Sequence, residues 1–222
     1  MATTTATPSY KEALTELRGN LAGMLPADAL GVFDSDAEQL AETHAAPLRV
    51  KVGDTAPTFT LSDATGEPVR LADVLAEGPV VLTFYRGTWC PYCNLYLSQL
   101  QATIAELKAA GAQLIAISPQ TPDESLTLRD KLSLEYHVLS DIGNQVARQY
   151  TTVFRNGDAP VATMTALGFD FDGHYADDSR ELPVPATFVI AQDGTVAFAK
   201  TEGGDYRQRV ELSEVLAALR TL

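Results

Sequence analysis

The run Val80-Val81-Leu82-Thr83-Phe84-Tyr85 has the length and β-branched content of a buried strand. It leads straight into Arg86-Gly87-Thr88-Trp89-Cys90-Pro91-Tyr92-Cys93, and the following Asn94 to Leu100 has helical spacing. The only two cysteines and the only tryptophan therefore sit where a strand ends and a helix begins. The first turn of a helix exposes free N–H groups and the positive end of its dipole, so a thiol placed there ionises more easily. Pro91 suits a helix start, where its missing N–H costs nothing. Cys90 and Cys93 are three residues apart and share one helix face, close enough for a disulfide. Cys90, nearer the helix end and expected to be less covered, is read as the attacking thiol, and Cys93 as the resolving one.

Two other readings of the pair are a half-built zinc site and two inert thiols. Zinc calls for four ligands, and neither a second cysteine pair nor a cluster of the histidines (His44, His137, His174) is present in the sequence. No metal and no cofactor are expected. With 29 acidic and 16 basic residues the chain carries a formal charge of −13, which excludes nucleic acid as a partner because no basic run could neutralise phosphates. Nothing reaches the length of a membrane-spanning helix, so no membrane is expected. The start, Met1 to Pro8, lacks the basic and apolar regions of a signal peptide. A cytoplasmic location follows, where a cysteine pair is catalytic more often than structural.

Two helices precede the main domain. Ser9 caps the first, with Glu12 completing a capping box, and Leu14, Leu17, Leu21 and Leu25 form its apolar stripe. The second, from Asp28 to Ala46, is expected to be interrupted near Gly31. These 48 residues either pack on the domain or form a homodimer arm. The remainder, 49–222, reads as one α/β domain. Strands are expected near Phe59, at Val80, at Gln113–Ser118 and at His137–Ser140, with helices from Pro91 to Ala110, from Thr121 to Leu134 (capped at Thr121, with Pro122 first and Glu124 third) and from Ile142 to Tyr150. This order demands right-handed crossovers and a parallel core sheet. Residues 151–183 are acidic, rich in glycine and proline, yet carry Phe154, Met164, Phe169, Phe171 and Tyr175. They read as a folded insertion that walls the site. Their Asp170, Asp172, His174 and Asp177 have no calcium-loop spacing and read as a solvated acidic loop. Ala186–Ala191 and Val196–Ala199 form a hairpin about Asp193-Gly194, and Ser213–Leu222 a closing helix.

Three segments resemble the peroxiredoxin-like proteins of the alkyl hydroperoxide reductase and thiol-specific antioxidant (AhpC/TSA) family. They are Gly53-Asp54-Thr55-Ala56-Pro57-Thr58-Phe59, the Phe84–Cys93 segment, and Val184-Pro185-Ala186-Thr187-Phe188-Val189-Ile190. The resemblance covers roughly residues 50–220 and implies a thioredoxin-like fold with Pro185 beside the cysteines, a proline that is cis in thioredoxin-like proteins and whose isomer the sequence leaves open here. It departs from the family in two places. Gly87, not threonine, stands three residues before Cys90, and Pro185 occupies the region of the family's arginine. Arg86 is the natural substitute for that arginine, either stabilising charge or pairing on the surface with an acidic neighbour. Thr88 is read as a donor to the thiolate or the peroxide, and Trp89, Tyr92 and Pro185 as the rim that receives substrate.

The resemblance implies a thiol-dependent peroxidase that reduces hydrogen peroxide or organic hydroperoxides through a Cys90 sulfenic acid, with a thioredoxin- or glutathione-type reductant. The cysteine pair and Pro185 also suit a thiol–disulfide oxidoreductase acting on protein or glutathione disulfides. A redox-sensing module working through the N-terminal helices is the third reading.

Overall fold

The structure, a computed structural model, describes residues 8–222. The reading of Met1 to Pro8 as no signal peptide falls almost entirely outside them. The elements are α1 (Tyr10–Met24), α2 (Ala27–Thr43), β1 (Thr60–Asp63), β2 (Pro68–Arg70), α3 (Leu71–Glu77), β3 (Val80–Phe84), α4 (Pro91–Ala102), α5 (Ile104–Ala109), β4 (Gln113–Ser118), α6 (Pro122–Leu132), β5 (His137–Ser140), α7 (Ala147–Tyr150), β6 (Val153–Arg155), α8 (Asp158–Ala166), β7 (Glu181–Pro183), β8 (Ala186–Ile190), β9 (Val196–Lys200) and α9 (Leu212–Leu219).

Seven strands form one mixed sheet in the order β2-β1-β5-β4-β3-β8-β9. Its centre, β5-β4-β3, is parallel, and β8 joins β3 antiparallel. Strands buried on both faces need mainly apolar residues, and every residue of β3 and β8 is buried, the hydroxyls of Thr83 and Thr187 meeting each other at 3.2 Å. Alternation sends Val81 to one face and Val80, Leu82 and Phe84 to the other. The first face packs against α4 and α9 through Leu97, Leu100, Val215 and Leu219. The second packs against α3 and α7 through Leu71, Val74, Ala147 and Tyr150. β6 and β7 pair as a separate ribbon, with α8 between them in sequence.

The Ser9 capping box forms as expected. Several boundaries differ from the sequence reading. α2 runs through Gly31 unbroken, because the surrounding residues keep helical spacing and a lone glycine costs a helix only about 1 kcal/mol. The helix that follows the cysteines breaks at Thr103, whose hydroxyl donates to the carbonyls of Gln99 and Leu100. Of the helix expected over 142–150 only α7 is present. Asp141 takes the N–H groups of Val146 and Ala147 and starts the turn late. The N-terminal helices lie on the sheet's first face: Tyr10, Leu14 and Ala37 join the cluster that holds both cysteines.

Candidate active site

β3 ends at Phe84, and the chain crosses the sheet edge as a short loop before α4 opens at Pro91. Cys90 is the N-cap residue of α4, and its carbonyl accepts the N–H of Asn94 at 3.0 Å. Asn94 in turn donates from its side chain to the Thr88 carbonyl at 2.8 Å, which ties the loop to the helix it feeds. Both cysteines are free thiols and both are buried, Cys90 1 % exposed and Cys93 0 %. The greater exposure expected for Cys90 is absent, because α1, α2 and the 204–210 segment cover this face of the sheet.

The two sulfurs live in different fields. Cys93 Sγ accepts a hydrogen bond from Arg209 Nη2 at 3.0 Å. The Cys90 thiol and the Arg86 backbone N–H also act on it, both favouring its charged form. Burial alone would raise the Cys93 pKa. The Cys90 hydrogen bond, the Arg209 charge and the Arg86 N–H overcome it and bring Cys93 down to about 5. Cys90 moves the other way. Burial and its donated hydrogen bond to Cys93 push it well above the usual thiol range. The Arg209 guanidinium, at 3.0 Å from Cys93 Sγ, favours a thiolate on Cys93 over one on Cys90.

Arg86 is 2 % exposed and, among the described residues, forms no ion pair. Its guanidinium lies 3.8 Å from the centroid of the Tyr206 ring and 4.7 Å from that of Trp89, and donates to Asn156 Oδ1 at 3.3 Å. Trp89 Nε1 donates to Tyr175 Oη at 2.7 Å, and Tyr175 Oη donates to the Arg86 carbonyl at 3.0 Å. Trp89 also meets Phe171 edge-on at 5.2 Å. The 151–183 segment therefore does line this region, through Asn156, Phe171 and Tyr175. Tyr92 packs on Tyr206 at 6.2 Å.

Two expected site residues are turned elsewhere. The Thr88 hydroxyl accepts from Gln120 Nε2 at 3.1 Å and donates to Glu124 Oε2 at 3.4 Å, so it serves α6 and neither sulfur. Glu124, expected to close a capping box at Thr121, instead joins His174 Nδ1 at 2.8 Å. Among the described residues no peptide bond is cis, so Val184–Pro185, whose isomer the sequence leaves open, is trans. The Pro185 carbonyl accepts the Thr201 hydroxyl at 2.7 Å and is not a free edge for substrate. The acidic cluster of the insertion disperses: Asp172 pairs with Arg180, Asp177 caps Ser179, and His174 stacks on Phe169.

Arg209 and Tyr206 were missed. They lie in the irregular segment between β9 and α9, where no periodicity or motif marks them, and they reach the cysteines only through the fold.

The AhpC/TSA family model matches residues 52–199, well over half of the chain. The chloroplastic peroxiredoxin Q of Sedum lineare is 33 % identical over 188 residues, 82 % of this chain and 88 % of that protein. Peroxiredoxin Bcp of Escherichia coli is 35 % identical over 101 residues, 46 % of this chain and 64 % of its own. The crystal structure of peroxidoxin BcpB from Mycobacterium tuberculosis superposes with a TM-score of 0.61 at 27 % identity, covering 78 % of this chain and 98 % of that one. The match ends at 199, so α1, α2, Tyr206 and Arg209 lie outside it.

Proposed function

We propose, for a chain that belongs to the AhpC/TSA family and is a thiol-dependent peroxidase, that the Cys93 thiolate attacks the peroxide and Cys90 resolves the product. A peroxide is the substrate and a thiol the reductant. The observation that carries the order of attack is the Arg209 guanidinium, which donates to Cys93 Sγ at 3.0 Å. The thiolate, not the thiol, is the nucleophile. This order inverts the one suggested by sequence position.

The steps balance. Cys93–S⁻ attacks the terminal oxygen of ROOH, the O–O bond breaks, and Cys93–SOH forms with RO⁻ as the leaving group. The Cys90 S–H protonates RO⁻ to ROH. The resulting Cys90 thiolate attacks Cys93–SOH, forms the disulfide and expels hydroxide, which takes a solvent proton to give water. An external dithiol then reduces the disulfide and is itself oxidised. Arg209 and Arg86 face the developing negative charge at fixed positions in a dry site, where such charges act most strongly.

A second reading keeps Cys90 as the attacker and Cys93 as the resolver, and is favoured by Cys90 bordering the adjoining cavity while Cys93 does not. Single-turnover oxidation of Cys90→Ser and Cys93→Ser, followed by mass spectrometry, separates the two. The proposal expects a sulfenic acid on Cys93 in Cys90→Ser and an inert Cys93→Ser. A sulfenic acid only on Cys90, in Cys93→Ser, overturns it in favour of the second reading.

In this reading residues 1–48 are an extension whose helices α1 and α2 cover the pair, and 49–222 the catalytic domain, with 151–183 as its wall. The reductant is a thioredoxin- or glutathione-type thiol of the cytoplasm, where such thiols are kept reduced. Recovery of the reduced protein with each thiol in turn tests the choice. The apolar stripe of α1 packs within the chain, so a homodimer would use another surface, and sedimentation decides it. Among the described residues no helix is long and apolar enough to cross a membrane.

A further inference from the structure

We infer that Arg209 is a redox-controlled catch: oxidation of the cysteine pair strips this buried guanidinium of its counter-charge and frees α1 and α2 from the site they cover. The inference rests on the peroxidase reading for the reaction that oxidises the pair, and gives that reaction a conformational output. Arg209 is 7 % exposed, and among the described residues no carboxylate pairs with it. Its Nη1 donates to the carbonyls of Tyr206 and Gln208, and its Nη2 to Cys93 Sγ at 3.0 Å. Carbonyls satisfy the N–H groups but carry no net charge, which leaves the Cys93 thiolate as the anion that balances the guanidinium. A buried ion is tolerated while it is paired, and taking away its partner is strongly destabilising. The catalytic cycle does take it away. Cys93 enters as S⁻, the O–O bond breaks, and the disulfide with Cys90 forms as hydroxide leaves and takes a solvent proton. Both sulfurs are then neutral, and Arg209 faces them as an unpaired charge.

The chain around Arg209 decides what gives way. Arg209 stands within 204–211, the irregular segment that holds both N-terminal helices. Tyr10 of α1 donates from its N–H to Glu211 at 2.9 Å and from its hydroxyl to the Arg207 carbonyl at 2.8 Å. On α2, the Phe33 carbonyl accepts the Tyr206 hydroxyl at 2.7 Å, and Asp34 pairs with Arg207 at 2.8 Å. To reach water Arg209 must swing out, and its neighbours Tyr206 and Arg207 move with it. The ties to Tyr10, Phe33 and Asp34 are then lost together. A segment without ladder or helix hydrogen bonds is also the one that opens at least cost. Helices α1 and α2 and the 204–211 segment all lie outside the matched residues 52–199, so the device belongs to this chain's own additions. Opening also supplies what the closed site withholds. A reducing thiolate must touch a disulfide sulfur, and Cys90 and Cys93 are 1 % and 0 % exposed.

Hydrogen exchange of the full chain, read by mass spectrometry, tests the catch. Diamide takes two hydrogens from the thiol pair, becomes a hydrazine, and so makes the disulfide with no peroxidase step. Amides of α1 and α2 should exchange at least about tenfold faster after diamide, while those of β3 and β4 keep their rates. Cys93→Ser separates the lost charge from the disulfide. It holds no thiolate at this position, so α1 and α2 should exchange fast with no oxidant present. Cys90→Ser retains Cys93 and should stay closed when reduced. Arg209→Met has no charge to strand and should exchange equally before and after diamide. Equal exchange in reduced and oxidised wild type overturns the inference. So does faster exchange on oxidation with a closed Cys93→Ser, which traces opening to the shape of the disulfide instead of the lost charge. Opening by diamide in a protein that no hydroperoxide oxidises leaves the catch standing and overturns the peroxidase reading. Oxidation by hydrogen peroxide with no opening does the reverse.

Discussion

Replacing Arg209 by methionine isolates the charge that sets the reactivity of the pair. Methionine keeps much of the length and apolar bulk and removes the guanidinium. Arg209 Nη2 lies 3.0 Å from Cys93 Sγ in a site with no exposed surface on the sulfur. With charge centres ~4 Å apart and an effective dielectric of about 20, the lost attraction is roughly 4 kcal/mol, or about three pH units. The Cys93 pKa, held at about 5, should then rise to ~8. At pH 7 the thiolate fraction falls from nearly complete to roughly one tenth, and peroxide oxidation slows at least tenfold. The sign is fixed: wild type should be flat from pH 6 to 8 and fall below about 5, whereas Arg209→Met should gain rate as pH rises through ~8. The assay is thiolate absorbance at increasing pH together with stopped-flow Trp89 fluorescence on adding peroxide. Arg209 Nη1 also donates to the carbonyls of Tyr206 and Gln208, both at 2.6 Å, so circular dichroism must establish that the variant folds. Arg209→Lys, which keeps the charge, should fall between the two. A thiolate midpoint that stays near 5 in folded Arg209→Met would refute the electrostatic account.

Two further outcomes follow from the packing. Gly204→Ala would place a Cβ 2.0 Å from the Leu40 carbonyl oxygen on α2, a backbone clash that neither segment can relieve without separating. Urea denaturation should show a loss of about 3 kcal/mol, and an effect under ~1 kcal/mol would mean the α2 contact is loose. Tyr175→Phe removes the acceptor of Trp89 Nε1 and the donor to the Arg86 carbonyl, and should cost about 1–3 kcal/mol in the same assay. It should also change the Trp89 emission of the reduced protein, and an unaltered spectrum would show that this hydrogen bond does not hold the ring.

What the sequence revealed was local, and what it hid was tertiary. The strand–Cys–Pro–helix junction could be read because burial, helix start and thiol chemistry all bear on ten consecutive residues. The β3–β8 core was legible for the same reason, each strand being apolar but for one threonine, Thr83 or Thr187. Glu124 defeated the reading. It stands at the right offset for a cap, but His174 from a segment fifty residues away offers it a stronger partner. Thr88 likewise turns to Gln120, which no spacing could connect to it. Arg209 is the sharpest case. The resemblance points to the region of Pro185, and then to Arg86, for the family's arginine, while a guanidinium more than a hundred residues along the chain reaches Cys93 from an irregular loop. Long-range side-chain placement leaves no periodic trace.

The clasp between α1 and the segment before α9 carries a consequence for synthesis. Tyr10 donates from its backbone N–H to Glu211 and from its hydroxyl to the Arg207 carbonyl, contacts spanning about two hundred residues. Helices α1 and α2 leave the ribosome first, yet the loop they grip emerges last. The central strands can pair while α1 and α2 still wait for that loop. The nascent chain therefore passes through an interval in which the CPYC thiols exist without Arg209 and without their cover. In that interval Cys93 lacks its charged hydrogen-bond partner and both sulfurs are open to solvent oxidants and to other thiols. Catalytic competence and protection arrive together, at the final turn of assembly.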